Sequence, residues 1–152
     1  MRKNERYAAI QNRVGKEYND FCIVRGFPKV GKDTWIGYFC MIDATGGLEI
    51  GEHCSIASGV HIYTHDSVRW AVENLEKNKG TGEHLDTAPV KIGNNVYIGA
   101  NAVILKGVTI GDNVTIGALT LVNRDLPSGS IAVGIPCKIL ERKNPITGNN
   151  KG

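Results

Sequence analysis

A chain of 152 residues with a formal charge of +3 is long enough to bury one core, and that charge is too small to mark a nucleic-acid surface. Lys and Arg are interspersed with Asp and Glu as on a solvated face, and no apolar run reaches the length of a membrane span. Cys22, Cys40, Cys54 and Cys137 have neither CxxC nor CxH spacing, which favours reduced, buried thiols over a zinc or redox centre.

Residues 1–22 place Tyr7, Ile10, Val14 and Tyr18 at helical spacing, which predicts a short N-terminal helix. The opening MRKNER precedes no apolar segment of signal type, so the expected location is the cytoplasm. Residues 23–140 carry a six-residue period. It runs Val24, Val30, Ile36, Ile42, then, shifted by two, Ile50, Ile56, Ile62, and later Ile92, Ile98, Ile104, Ile110, Ile116, Val122. A second slot four positions on holds Thr34, Cys40, Cys54, Val60, Val96, Ala102, Val108, Val114 and Thr120. The shift of frame is expected at a bulged corner at Gly46-Gly47.

Period six fits neither a 3.6-residue helix nor plain strand alternation; it fits a short strand and a tight corner, repeated. Both slots are even offsets, so their side chains share the inward face, and the coils must stack to bury them. Glycine after the aliphatic (Gly93, Gly99, Gly111, Gly117) is expected to let the chain turn. Residues 66–89 interrupt the period. Ile62 and Ile92 remain in one frame, so the solenoid is expected to resume where it stopped, with a protruding insertion loop. SVRWAVENLEKN in that loop is expected to form a helical turn or two, and KGTGEH to be mobile. Residues 141–152, polar and rich in Gly and Asn, read as a flexible tail.

The stretches LEIGEHCSIASGVHIYTH, PVKIGNNVYIGANAVILKGVTIGDNVTIGA and VNRDLPSGSIAVGIPCKIL resemble the hexapeptide-repeat acyltransferases, above all the sugar O-acetyltransferases of the galactoside and maltose type. The resemblance covers roughly residues 24–140. It implies an all-β, left-handed parallel β-helix; the hand comes from the resemblance alone, because about 98% of parallel crossovers are right-handed. It also implies a homotrimer with acetyl-CoA, as co-substrate, held between neighbouring subunits. The expected reaction is direct transfer of an acetyl group to a hydroxyl or amine of a sugar or sugar nucleotide, as in polysaccharide biosynthesis.

His65 stands at the family's catalytic position, and a histidine suits a general base because its unperturbed pKa is near neutral. Read without the resemblance, it is equally a solvated loop histidine. For His53 and His61 the expectation is a surface or interface role, and no metal ligand set is found among them. Asp66, beside the base, is a candidate to orient its ring or meet the substrate. His84, near Glu83 and Asp86, is a candidate for acceptor contact. For the donor the resemblance points to Tyr97, Gly99, Ala100, Ala118, Asn123 and Arg124. Arg124 and Lys138, with Lys106 behind them, are candidates for the coenzyme phosphates. The family's asparagine-bearing acceptor segment is replaced by WIGYFCMIDATGG. Asp43, or Trp35, Tyr38 and Phe39 as a stacking surface, is a candidate to take its place, with core or trimer packing the default expectation for the aromatics. Three rival readings stand beside this one. They are a non-catalytic β-helix scaffold, a γ-class carbonic anhydrase whose histidine spacing is not matched, and a serine acetyltransferase, which usually carries a larger helical N-terminal domain.

Overall fold

The computed structural model of the chain describes residues 21–73 and 85–140. The expected N-terminal helix, the KGTGEH stretch, His84 and the tail lie outside the described residues. The first coil contains β1 (Ile23–Arg25), β2 (Lys29–Val30) and β3 (Trp35–Ile36). The second contains β4 (Met41–Asp43), β5 (Leu48–Ile50) and β6 (Ser55–Ile56). In the third, β7 (His61–Ile62) is followed by the insertion, with β8 (His65–Asp66), α1 (Val68–Val72) and β9 (Asp86–Thr87), before β10 (Val90–Ile92) and β11 (Tyr97–Ile98) close the coil. The fourth adds β12 (Val103–Ile104), β13 (Thr109–Ile110) and β14 (Thr115–Ile116), and the last β15 (Leu121–Val122), β16 (Ile131–Val133) and β17 (Lys138–Leu140).

These strands form three faces of a left-handed parallel β-helix. The first face is β1-β4-β7-β12-β15, the second β2-β5-β10-β13 and the third β3-β6-β11-β14-β16, with β17 added antiparallel. We call the turns leaving these faces the first, second and third corners.

Like stacks on like. Ile42 pairs with Ile62, Ile62 with Ile104 and Ile104 with Val122, and all four are fully buried. Ile36, Ile56, Ile98 and Ile116 form the equivalent column on the third face. The inward slots identified by period six are therefore the core, stabilised by apolar burial at roughly 25 cal/mol per Å². The thiols of Cys40 and Cys54 lie in it. Cys40 is pushed up in pKa by its hydrogen bond with Cys22 and by burial, and Cys54 mainly by burial, so both stay protonated.

The glycine after the aliphatic does a different job from the one expected. The left-handed residue of a tight corner is Asn, Asp or His at Asp33, His53, Asn95, Asn101 and Asn113, with φ between 54° and 58°, and glycine at Gly26, Gly59, Gly107 and Gly129, with φ between 73° and 80°. The glycine after the aliphatic instead permits coils to touch: a Cβ on Gly99 would strike the main chain of Ala118. Phe39 and Leu119 adopt the same left-handed conformation at the third corner, with φ of 60° and 59°, although neither is suited to it.

The two breaks in the period fall where the frame places them. Ile92 precedes its partner Ile110 by one coil of 18 residues but lies 42 beyond its other partner Ile50, and the excess is the 66–89 insertion. At the earlier break, Gly46 N–H donates to Thr64 Oγ1 at 2.8 Å, and Gly47 N–H to Ala44 O at 3.0 Å. A Cβ on Gly46 would collide with the Thr64 carbonyl, so this corner closes only with glycine. Among the described residues no helix is long and apolar enough to cross a membrane.

Candidate active site

The first corner is where the insertion leaves the solenoid. Thr64 ends the third coil's run, and its carbonyl accepts the Ala88 N–H at 2.9 Å, joining the two ends of the excursion. β8 and β9 then form a two-residue antiparallel ribbon, pairing His65 with Thr87 and Asp66 with Asp86. His65 is thus carried on a ribbon at the neck of the insertion, with 14% of its side chain exposed.

Beneath it lies Asp43, fully buried at the end of β4. Its Oδ2 contacts His65 Nδ1 at 2.7 Å and accepts from Thr64 N–H at 2.7 Å and Thr64 Oγ1 at 2.8 Å. Its Oδ1 accepts from Thr45 Oγ1 at 2.6 Å and Thr45 N–H at 3.2 Å. Burial alone would favour the neutral acid, but the donors from Thr45, Thr64 and His65 together outweigh it and hold the carboxyl well below the usual carboxylate range. An ionised Asp43 requires the proton of a neutral imidazole to sit on Nδ1. The basic lone pair is then on Nε2.

Two expectations are corrected by this placement. Asp43 does not face an acceptor, because both its oxygens are engaged below the surface; it orients the imidazole. Asp66 does not orient the ring. Its carboxylate meets Lys106 Nζ at 3.0 Å and accepts Val68 N–H at 3.1 Å, and these contacts lower its pKa. Lys106 likewise is engaged at the neck of the insertion and is not free beside Arg124. His61 Nδ1 pairs with the Tyr63 hydroxyl at 3.1 Å and not with His65. Among the described residues no three His, Cys, Asp or Glu side chains are grouped as a metal site would need.

The donor candidates separate into two groups. Asn123 and Arg124 are exposed at the first corner, two coils beyond His65. That is about 10 Å along the axis at one strand spacing per coil. Ala100 and Ala118 stack at the third corner, where Leu119 N–H donates to Ala100 O at 2.9 Å over the buried Gly99. Tyr97 projects from the third face, 47% exposed, and Lys138 pairs with Val133 at the end of that face. β15 lies between Ala118 and Asn123, roughly 15 Å of extended chain. The expected aromatic acceptor surface also falls at the third corner and not beside His65: Phe21, Tyr38 and Phe39 pack edge to face there, with Trp35 against Tyr38. On the His65 corner the sequence reading missed Phe27, which is 97% exposed on the first coil. Only its frame, one step past Val24 and Gly26, signals it.

Residues 89–124 match the bacterial transferase hexapeptide family (six repeats). The chain is 50% identical over 116 residues to the galactoside O-acetyltransferase of Escherichia coli (strain K12), covering 76% of this chain and 54% of that protein. It spans about half the length of the curated relatives it matches. The crystal structure of a maltose O-acetyltransferase from Clostridium difficile 630 superposes with a TM-score of 0.63 at 30% identity, covering 83% of this chain and 68% of that one. An N-acyltransferase from Bacillus cereus, crystallised with dTDP and 3-hydroxybutyryl-CoA, superposes with a TM-score of 0.70 at 25% identity, with coverages of 83% and 68%.

Proposed function

Since this chain belongs to the hexapeptide-repeat acyltransferase family, we propose that it moves an acetyl group from acetyl-CoA directly onto a hydroxyl or amine of a sugar or sugar nucleotide, with His65 as general base. The observation that carries this reading is the Asp43–His65 pair, which leaves Nε2 as the basic nitrogen. Nε2 takes the acceptor's proton as the acceptor oxygen or nitrogen bonds to the thioester carbon. Asp43 stabilises the imidazolium that forms. Collapse of the tetrahedral intermediate breaks the carbon–sulfur bond, and the imidazolium returns the proton to the departing thiolate. The products are the acetylated sugar and free coenzyme A, with no acyl-enzyme.

The two groups of donor residues support a site shared between copies of the chain. A pantetheine arm running past Ala100 and Ala118 of one subunit reaches His65, Asn123 and Arg124 of the next without crossing the first face. This is why we propose the homotrimer, with Arg124 and Lys138 toward the phosphates. The relatives' names support the sugar acceptor: a galactoside, a maltose and, in the Bacillus cereus N-acyltransferase complex with dTDP-4-amino-4,6-dideoxyglucose, a nucleotide-linked sugar. On the His65 corner the acceptor enters from the first two coils, where Phe27 and Thr45 are exposed, opposite Asn123 and Arg124.

Calorimetric titration with coenzyme A and acetyl-CoA tests the proposal. Saturable binding near one site per chain is expected, followed by transfer to a member of a sugar-acceptor panel. A folded assembly that binds neither ligand would leave a scaffold as the better account.

A further inference from the structure

Lys106 lies in the fourth coil, directly after Leu105 at the first corner, and reaches back to the insertion of the third. Its ammonium is 3.0 Å from Asp66 Oδ2 and donates to the main-chain carbonyl of Asp86 at 3.3 Å. Asp66 and Asp86 face each other in the β8–β9 register, so one cation ties the two strands of the ribbon together. The tie extends into α1. Asp66 accepts the Val68 N–H that begins the helical turn, and Arg69 lies between Asp86 at 3.6 Å and Glu73 at 3.3 Å.

A two-residue ribbon has too few ladder bonds to hold itself in water. His65 is the first residue of that ribbon, so the main-chain position of His65 depends on what pins it. Asp43 fixes the ring from beneath, and the Thr64–Ala88 bond closes the base of the ribbon; the side chain that ties its two strands is Lys106. We propose that Lys106 is a positioning residue, clamping the neck of the insertion so that His65 stays seated on Asp43, and is not a ligand for the coenzyme phosphates. The catalytic part of this inference rests on His65 being the base; the clamp itself does not.

The clamp also sets the charge around the imidazole. The charged groups around the neck are Asp43 under the His65 ring, Asp66 and Asp86 on the other side of the ribbon, Lys106 from the fourth coil and Arg69 from α1. Removing the lysine leaves Asp66 without its cation beside His65, which favours the imidazolium.

The test uses the full chain with Lys106→Met, Lys106→Arg and the double variant Asp66→Asn/Lys106→Met. For Lys106→Met, turnover should fall about tenfold or more, as for a reacting group displaced by a fraction of an ångström. The KM for acetyl-CoA should stay within about twofold. The acid limb of kcat/KM should move to higher pH and return in the double variant, while Lys106→Arg keeps most of the turnover. Hydrogen exchange should quicken at 65–67 and 86–88 and stay unchanged in β12–β16. A KM for acetyl-CoA raised tenfold with unchanged turnover would overturn the proposal in favour of phosphate binding. Unchanged turnover and exchange would overturn it outright. A wild-type chain that transfers no acetyl group would defeat the catalytic reading, and exchange alone would then decide for or against the clamp.

Discussion

The corner that leads into β15, residues 117–120, is a tight turn of small residues, whereas the corner that follows β7 opens into an excursion from 66 to 89. In the first, main chain touches main chain. Gly117 N–H donates to Ala132 O and Leu119 N–H to Ala100 O, both at 2.9 Å, and the side chains of Ala118 and Leu119 stand in solvent. In the second, side chains do the holding. Asp43 gathers hydrogen bonds from Thr45, Thr64 and His65, and Lys106 spans the ribbon. Both corners are built on the same repeat and differ only in what the repeat leaves outside. A solenoid can thus present a tight main-chain turn at one edge and a side-chain cluster around a histidine at another without altering its core.

The sharpest way to break this comparison is at the reactive group. His65→Ala should lose at least about a hundredfold in turnover, the usual cost of removing a general base, with circular dichroism and assembly unchanged. Normal turnover in a folded variant would take His65 out of the mechanism. Asp43→Asn should cost about tenfold or more, because an amide cannot both accept the Nδ1–H and satisfy the donors of Thr45 and Thr64. Its effect on stability has a sign set by the depressed native pKa. The ionised carboxylate contributes its full stabilisation above the unfolded aspartate value of about 4, and that contribution is lost as pH falls toward the lower native value. Wild-type melting temperature should therefore drop on acidification below about pH 4. Asp43→Asn should melt lower at pH 7 and lack that part of the acid slope. Parallel acid slopes in the two proteins would show that Asp43 is not the linked group.

The core was legible because stacking repeats one environment. Ile42, Ile62, Ile104 and Val122 meet the same neighbours, so the period alone identifies them, and even the two breaks in the period are readable as changes in spacing. The place of His65 at the neck of the insertion was legible from the break in the period after Ile62, while its candidate role came from the resemblance. Asp43 was recognisable as a chemical group but not in its placement, because the coil that separates the two strands spans 20 positions here, including the two-residue shift at Gly46-Gly47, and His65 lies two residues further on. Asp66 was a candidate for orienting the ring by adjacency alone, against the family's common use of other groups. In an extended strand, however, neighbouring side chains point to opposite sides, and Asp66 turns to Lys106. The donor candidates were named together from the resemblance, and their division between two corners follows only from the three-sided coil.

The smallest effect probes the tight corner. Ala118 is exposed and its side chain supports no other residue, so Ala118→Leu should shift stability by no more than about 0.5 kcal/mol. If a pantetheine arm runs along this edge against the main chain, the added side chain occupies its path. The KM for acetyl-CoA should then rise about tenfold while saturating turnover changes less than about twofold, since His65 stands on the other corner and is not disturbed. Loss of turnover at unchanged KM would mean that the edge shapes the reacting centre and not the binding of the arm. An unchanged KM would put the donor elsewhere on the solenoid and remove the structural reason for a site shared between subunits. The substitution is mild for the fold, and for that reason its kinetic result is easy to assign.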